Sequence, residues 1–294
     1  MKFNRFLLMA VLVLPFAAWA GAADYPNSQF LVEPAWLAER LKDPNLRIVD
    51  MRTDSKEYDE ERHIPGAVYI SVSSIRMPVE TGGFRLPSKS EGEKILGSLG
   101  ISKETMVVIY DDVGGLHASR LFFTLDAFGH EKMALLNGGI QAWRKAGLPM
   151  SHEVPKIRAT AYKAKVVPQK VATAEWIVHN LKNPLVALVD ARTPKEFRGE
   201  DVRAKRGGHI QGAKNIEWTQ NLRDDKTFKS AEELRALYEN QGITPEKTVV
   251  SYCQTHHRAA HAYFVLRLLG YEKLKGYDRS WAEWGNRDDL PIER

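Results

Sequence analysis

The chain has a single cysteine, Cys253, and the five residues after it are Gln254, Thr255, His256, His257 and Arg258. The thiolate, not the thiol, is the nucleophile of cysteine chemistry, and nearby cations and N–H donors favour it. Arg258 and two histidines lie within five positions of the sulfur. Most lone cysteines are small buried hydrophobes, but a polar, basic loop is not the setting for one. A second reading is metal ligation, with His257 and His261 one helical turn apart and Cys253 close by. The usual second pair of ligands is missing, so neither a metal nor any other cofactor is implied.

The elements around the loop decide where the thiol sits. Thr248 to Tyr252 is a β-branched and aromatic run that predicts a buried strand. Ala259 to Leu269 carries apolar residues at helical spacing before a stop at Gly270. Cys253 therefore lies at the carboxyl end of a strand, just before a helix. The first N–H groups of a helix lack backbone acceptors, and the helix dipole adds partial positive charge there. A negative sulfur is favoured at such a junction.

At 294 residues, the chain is long enough for about two domains. Its composition, 44% hydrophobic and 27% charged, is that of a soluble globular protein. The net charge of +5 is dispersed, without the basic block of a nucleic-acid surface, so no nucleic-acid partner is expected. The first 22 residues predict a signal peptide: Lys2 and Arg5 precede an apolar run from Phe6 to Ala18, and small residues flank Trp19. Export to the periplasm or beyond is the expectation, with no stable membrane association after cleavage. A single cysteine kept in an oxidising compartment, where it has no internal partner, favours a chemical role for it.

The chain also repeats itself. Trp36, Leu41, Lys42, Pro44, Asp50 and Arg52 recur 140 positions later as Trp176, Leu181, Lys182, Pro184, Asp190 and Arg192. The turn HIPGAVYI at His63 to Ile70 returns as HIQGAKNI at His209 to Ile216, and VVIYD at Val107 to Asp111 returns as VVSYC at Val249 to Cys253. Strands at Arg47 to Asp50, Val107 to Tyr110, Ala187 to Asp190 and Val249 to Tyr252 alternate with helical patterns such as Glu33 to Leu41 and Ala231 to Glu239. Such alternation predicts an α/β fold in each copy, a parallel sheet flanked by helices. The expected boundaries are 24–150 for the first domain, 151–168 for a Lys-rich linker and 169–294 for the second domain. Ligands of such sheets bind beyond the carboxyl ends of the strands, where the second copy has Cys253 and the first has Asp111. Chemistry is therefore assigned to the second domain, with the first packed against it.

These features together resemble the tandem-domain rhodaneses, the thiosulfate sulfurtransferases. The similarity runs from the Asp-x-Arg strand ends and His-Ile-x-Gly-Ala turns to LLNGGIQAWRKAGLP in the first half and GYDRSWAEWGN in the second. The loop CQTHHR is similar to the six-residue active-site loop of bacterial members. The resemblance implies that Cys253 takes sulfane sulfur from thiosulfate as a persulfide and passes it to cyanide or a thiol. It further implies that the backbone of Gln254, Thr255, His256, His257 and Arg258 cradles the anionic sulfur, with Arg258 and protonated histidines adding charge. Partners would be small sulfur donors and acceptors, and the protein would be a monomer.

Two departures from the family pattern bear on substrate. Arg279 stands where relatives commonly have Gly, and Glu196 stands where mercaptopyruvate-using relatives carry Arg. The second weakens 3-mercaptopyruvate as the donor. A persulfide carrier that does not turn over alone is a further alternative. Phosphatases and arsenate reductases place five residues between Cys and Arg, whereas four intervene here. The Asp50/Arg52 and Asp190/Arg192 pairs occur in both copies and are expected to organise strand ends, and Trp281 and Trp284 are expected in the core.

Overall fold

The computed structural model describes residues 24–60 and 62–294. The signal peptide expected over residues 1–22 lies outside the described residues.

In the first domain the strands are β1 (Leu31–Val32), β2 (Leu46–Asp50), β3 (Ala67–Tyr69), a short hairpin β4 (Met77–Pro78) and β5 (Phe84–Arg85), β6 (Met106–Tyr110) and β7 (Met133–Leu136). Its helices are α1 (Pro34–Ala38), α2 (Ser55–Asp59), α3 (Lys89–Ser98), α4 (Leu116–Ala127) and α5 (Gly139–Lys145). The second domain has β8 (Val186–Asp190), β9 (His209–Ile210), β10 (Lys214–Asn215), β11 (Thr248–Tyr252), β12 (Leu274–Gly276) and β13 (Ile292–Glu293). With them are α6 (Ala174–Asn180), α7 (Pro194–Phe197), α8 (Ala231–Glu239), α9 (His257–Leu268) and α10 (Ser280–Trp284).

The two main sheets repeat one order. The first runs β1-β7-β6-β2-β3 and the second β10-β8-β11-β12, every pairing parallel. A parallel bridge from Val171 to Gly276 marks the place of the missing edge strand. Parallel strands covered on both faces read as unbroken apolar runs, and Val107, Val108, Ile109 and Tyr110 are indeed fully buried. The repeated Asp-x-Arg pairs close the strand ends as expected. Arg192 donates to Asp190 and to the Gly208 carbonyl, the shortest contact being 2.6 Å, while Arg52 donates to Asp50 and to the Arg62 carbonyl. Both arginines are buried and paired with the aspartate two residues before them.

Capping explains where α3 and α8 begin. Ser88 with Glu91 and Ser230 with Glu233 form reciprocal capping boxes, which satisfy orphan N–H groups at each start. The helix expected over Glu33 to Leu41 is shorter: the last α-helical hydrogen bond runs from the Glu39 N–H to the Ala35 carbonyl, and tight turns follow from Arg40.

The domains share a core. Helices α4 and α9 lie against each other across the seam, with Phe122 edge-on to Phe264 at 5.0 Å and Phe123 edge-on to Tyr263 at 4.9 Å. Each helix is also packed on its own sheet, which is why α9 is buried nearly all round from Ala259 to Leu268. Burial of aromatic and aliphatic side chains on this scale is the dominant stabilising term in holding the domains together. The linker is not free either. Thr160 donates to the Gly97 carbonyl, Lys165 to Phe128 and Val167 to Ala127, and Tyr162 and Ala164 are buried in the shared core.

Candidate active site

Tyr252 ends β11 and His256 caps α9, so the loop between them has three residues in which to turn. It does so by placing His256 in the left-handed region at φ 54°, a conformation costly for a residue with a side chain. The first-domain copy makes the same turn with Gly115 at φ 88°. A second left-handed residue, Ser280 at φ 51°, fastens the loop from below. The Cys253 N–H donates to Ser280 Oγ at 3.2 Å, and the N–H groups of Trp281 and Ala282 donate to the carbonyls of Cys253 and Gln254 at 3.0 and 2.9 Å.

The first-domain loop shows what such a turn binds. There the Asp111 carboxylate is wholly buried and accepts from the N–H groups of Val113, Gly115, His117 and Ala118 at 2.8 to 3.0 Å. Burial raises the pKa of the Asp111 carboxyl, and the N–H groups of Ala118, Gly115 and Val113, with the nearby His117, oppose that rise. The first domain thus fills its own anion cradle. In the second domain the Cys253 thiol takes the place of that carboxylate, and the N–H groups from Gln254 to Arg258 have no acceptor among the described residues. An anionic sulfur on Cys253 completes this arrangement as the carboxylate does in the other copy.

The side chains of the loop behave differently from the expectation. His256 is fully buried in the domain seam, 4.4 Å from the Phe123 ring and 3.2 Å from Arg120 Nη1. Desolvation, reinforced by Arg120, His257 and Arg76, holds its pKa well below 6.5. His257 sits 2.9 Å from His117 Nδ1 of the first domain, and desolvation together with His117 lowers its pKa well below 6.5 too. Both are therefore neutral near pH 7, and the cationic role expected of them is corrected.

Arg258 is corrected as well. It makes two parallel hydrogen bonds to Glu196, at 2.6 and 2.8 Å, with the carboxylate fully buried. Burial pushes Glu196 up, but the Arg258 and Thr193 contacts outweigh it and bring the carboxyl to about 2. The Arg258 charge is neutralised by a neighbour, and Glu196 is that neighbour. Gln254 reaches the Arg203 carbonyl at 3.0 Å, and Thr255 Oγ1 accepts from Arg76 at 2.7 Å. His261, offered as a metal ligand, is buried with Nε2 on the Gly114 carbonyl and Nδ1 on Asn221. Arg279 reaches across the seam to Thr81 and the Gly82 carbonyl, and Trp281 and Trp284 lie in the core.

Several site residues were not legible in sequence. Ser280 lies in the Tyr-Asp-x-Ser-Trp stretch, so its place was marked but its role as a staple was not. Arg120, with Nη1 2.6 Å from Asp278, and Arg76 come from the first domain. Only the folded arrangement brings Arg76 to a loop 179 positions away. A cavity of about 460 Å³ opens elsewhere on the seam, lined by Leu86, Phe128, Asp278 and Glu283, and includes no residue of the Cys253 loop.

The family model for the rhodanese-like domain matches residues 33–146 and 173–287. A thiosulfate sulfurtransferase of Azotobacter vinelandii is 36% identical over 270 residues, covering 92% of this chain and 99% of its own. A sulfur carrier protein of Thermus thermophilus is 39% identical over 284 residues, covering 92% and 98%. Among solved structures, SseA from Escherichia coli, described with the 3-mercaptopyruvate sulfotransferases, superposes with a TM-score of 0.77 at 27% identity, over 86% of this chain and 99% of that one. Both halves match the same domain model and both sheets share one strand order, so the chain belongs to the rhodanese family as a tandem of two rhodanese-like domains.

Proposed function

We propose that this chain is a thiosulfate sulfurtransferase in which Cys253 carries the sulfur. The Cys253 thiolate attacks the outer sulfur of thiosulfate, a new S–S bond forms, and the old one breaks with its electron pair leaving on sulfite. A thiophilic acceptor, cyanide or a thiol, then takes the outer sulfur from the persulfide and returns the thiolate. The observation that supports this most is the pair of loops: one filled by its own carboxylate, the other with the five N–H groups from Gln254 to Arg258 left without an acceptor beside a thiol. Relatives named thiosulfate sulfurtransferase, aligned over about nine-tenths of the chain, point the same way.

Mass spectrometry with and without thiosulfate, followed by a steady-state assay with cyanide, tests the reading. Wild type should gain the mass of one sulfur on Cys253 and turn over; Cys253→Ser should do neither. Substantial transfer by Cys253→Ser would refute the assignment. A persulfide carrier is the second reading, favoured by the name of the Thermus thermophilus relative. It predicts the adduct without multiple turnovers.

Export is part of the proposal and rests on the basic start, apolar run and small-residue site of residues 1–22. A full-length chain recovered from the cytoplasm with Met1 intact would sink it.

A further inference from the structure

We propose that Arg76, from the domain without a nucleophile, receives the sulfonate end of the donor; this rests on the thiosulfate reading above. Thiosulfate is a dianion, so its site needs positive charge that the fold has not already neutralised. Around the loop, nearly every candidate is matched. Arg258 is paired with Glu196, Arg192 with Asp190, Arg120 with Asp278 and Arg203 with Asp201. His256 and His257 are neutral.

Arg76 is different. It makes no ion pair among the described residues; its Nη2 donates to Thr255 Oγ1 at 2.7 Å, and its Nε is buried without a partner. The guanidinium lies 4.0 Å above the Phe84 ring, and Ile75 beside it is buried, so the group is held in place on the rim of the loop. Thr255 is two residues from Cys253. A guanidinium fixed there, with no carboxylate to neutralise it, is suited to the oxygens of a sulfonate. Displacement at sulfur requires the leaving group to depart opposite the attacking atom. The cradle surrounds the transferred sulfur, so sulfite leaves outward, towards the first domain that supplies Arg76. The residue thus binds the donor and stabilises charge as it gathers on sulfite.

The test compares wild type, Arg76→Met and Arg76→Lys with two donors, thiosulfate and the monoanion methanethiosulfonate, using cyanide as acceptor throughout. Arg76→Met should lose on the order of 10- to 100-fold in kcat/KM for thiosulfate, and clearly less for methanethiosulfonate. Arg76→Lys should recover part of the loss, and the decline of kcat/KM with added salt should be shallower in Arg76→Met than in wild type. The KM for cyanide should change little. Unchanged thiosulfate kinetics in Arg76→Met, or an equal loss with both donors in a variant that melts like wild type, would overturn the assignment. Absence of a persulfide in wild type would instead count against the thiosulfate reading itself, so the two failures are distinguishable.

Discussion

Arg258 shows how a residue can be placed correctly and its charge misread. The loop CQTHHR located an arginine beside the sulfur, but its partner, Glu196, is 62 positions away and was visible only as a departure from a family pattern. The pair is nearly dry, with Arg258 17% exposed and Glu196 not at all. Removing one member of a buried ion pair leaves the other charged and unsolvated, which costs about 3 kcal/mol, whereas removing both costs much less. Arg258→Gln should therefore destabilise the protein by about that amount and lower thiosulfate turnover, because Glu196 is left facing an anionic substrate. The double change Glu196→Gln, Arg258→Gln should be more stable than Arg258→Gln alone, and chemical denaturation of the four proteins of the cycle measures this. Additive effects would show that the two side chains do not act as a pair. The carboxyl pKa is lowered on folding, so this pair stabilises the protein above the ordinary carboxylate value of 4.5, and that contribution is lost as pH falls towards about 2.

At the scale of elements, the duplicated loop was the part most open to sequence reasoning. Strand ends, the helix start and the exchange of Asp111 for Cys253 follow from apolar runs and from comparing one half with the other. The use of Asp111 did not follow, because hydrogen bonds from four N–H groups to one carboxylate leave no spacing signature. Of the two carboxylates in that loop, Asp111 is itself the bound anion. Replacing Asp111 by Ala removes that anion. That change strands several buried donors, each costing about 1 to 3 kcal/mol if no water reaches it. Asp111→Ala should lower the melting temperature, Asp111→Asn should lower it less, and sulfate should raise the melting temperature of Asp111→Ala by more than that of wild type by entering the vacated cradle. Equal sulfate effects on both proteins would show that the loop does not bind an anion once emptied. The positive φ of Ser280 was likewise hidden, although the first copy has Gly139 at φ 56° in the corresponding place.

Across the whole molecule, the seam between the domains decides which groups carry charge, and no one-dimensional pattern reveals a seam. Helix α9 showed its period in the sequence, but not that both of its faces are covered, one by its own sheet and one by α4. Burial there takes His256 and His261 out of water completely, and His257 most of the way. Desolvation lowers His261 to about 4, with the Gly114 carbonyl opposing, and His130 in the first domain is lowered for the same main reason. The charged groups facing His256 and His257 are Arg120, Arg76 and Arg258, with His117 alongside, each of which disfavours an added proton, and the Asp278 carboxylate, which lies 3.9 Å from His256 Nδ1 but is held more closely by Arg120 at 2.6 Å. The sign of the pH dependence follows. Unfolded histidines take up a proton near pH 6.5, whereas these folded ones do not until well below it. Their burial therefore costs nothing above pH 6.5 and becomes progressively destabilising as pH falls from there towards 4. His261 alone accounts for about 3 kcal/mol over that interval. Denaturation midpoints should accordingly decline between about pH 7 and about pH 5, before any carboxylate pair is lost. His261→Gln, which cannot take up a proton, should flatten part of that decline even if it lowers stability at neutral pH. In the same interval, kcat/KM for thiosulfate should show no rise on acidification, since neutral His256 and His257 gain no charge to offer the donor. A protein equally stable at both pH values, or a turnover that climbs as pH falls through 6.5, would mean that these histidines are protonated in the folded state and that the seam is wetter than its packing implies.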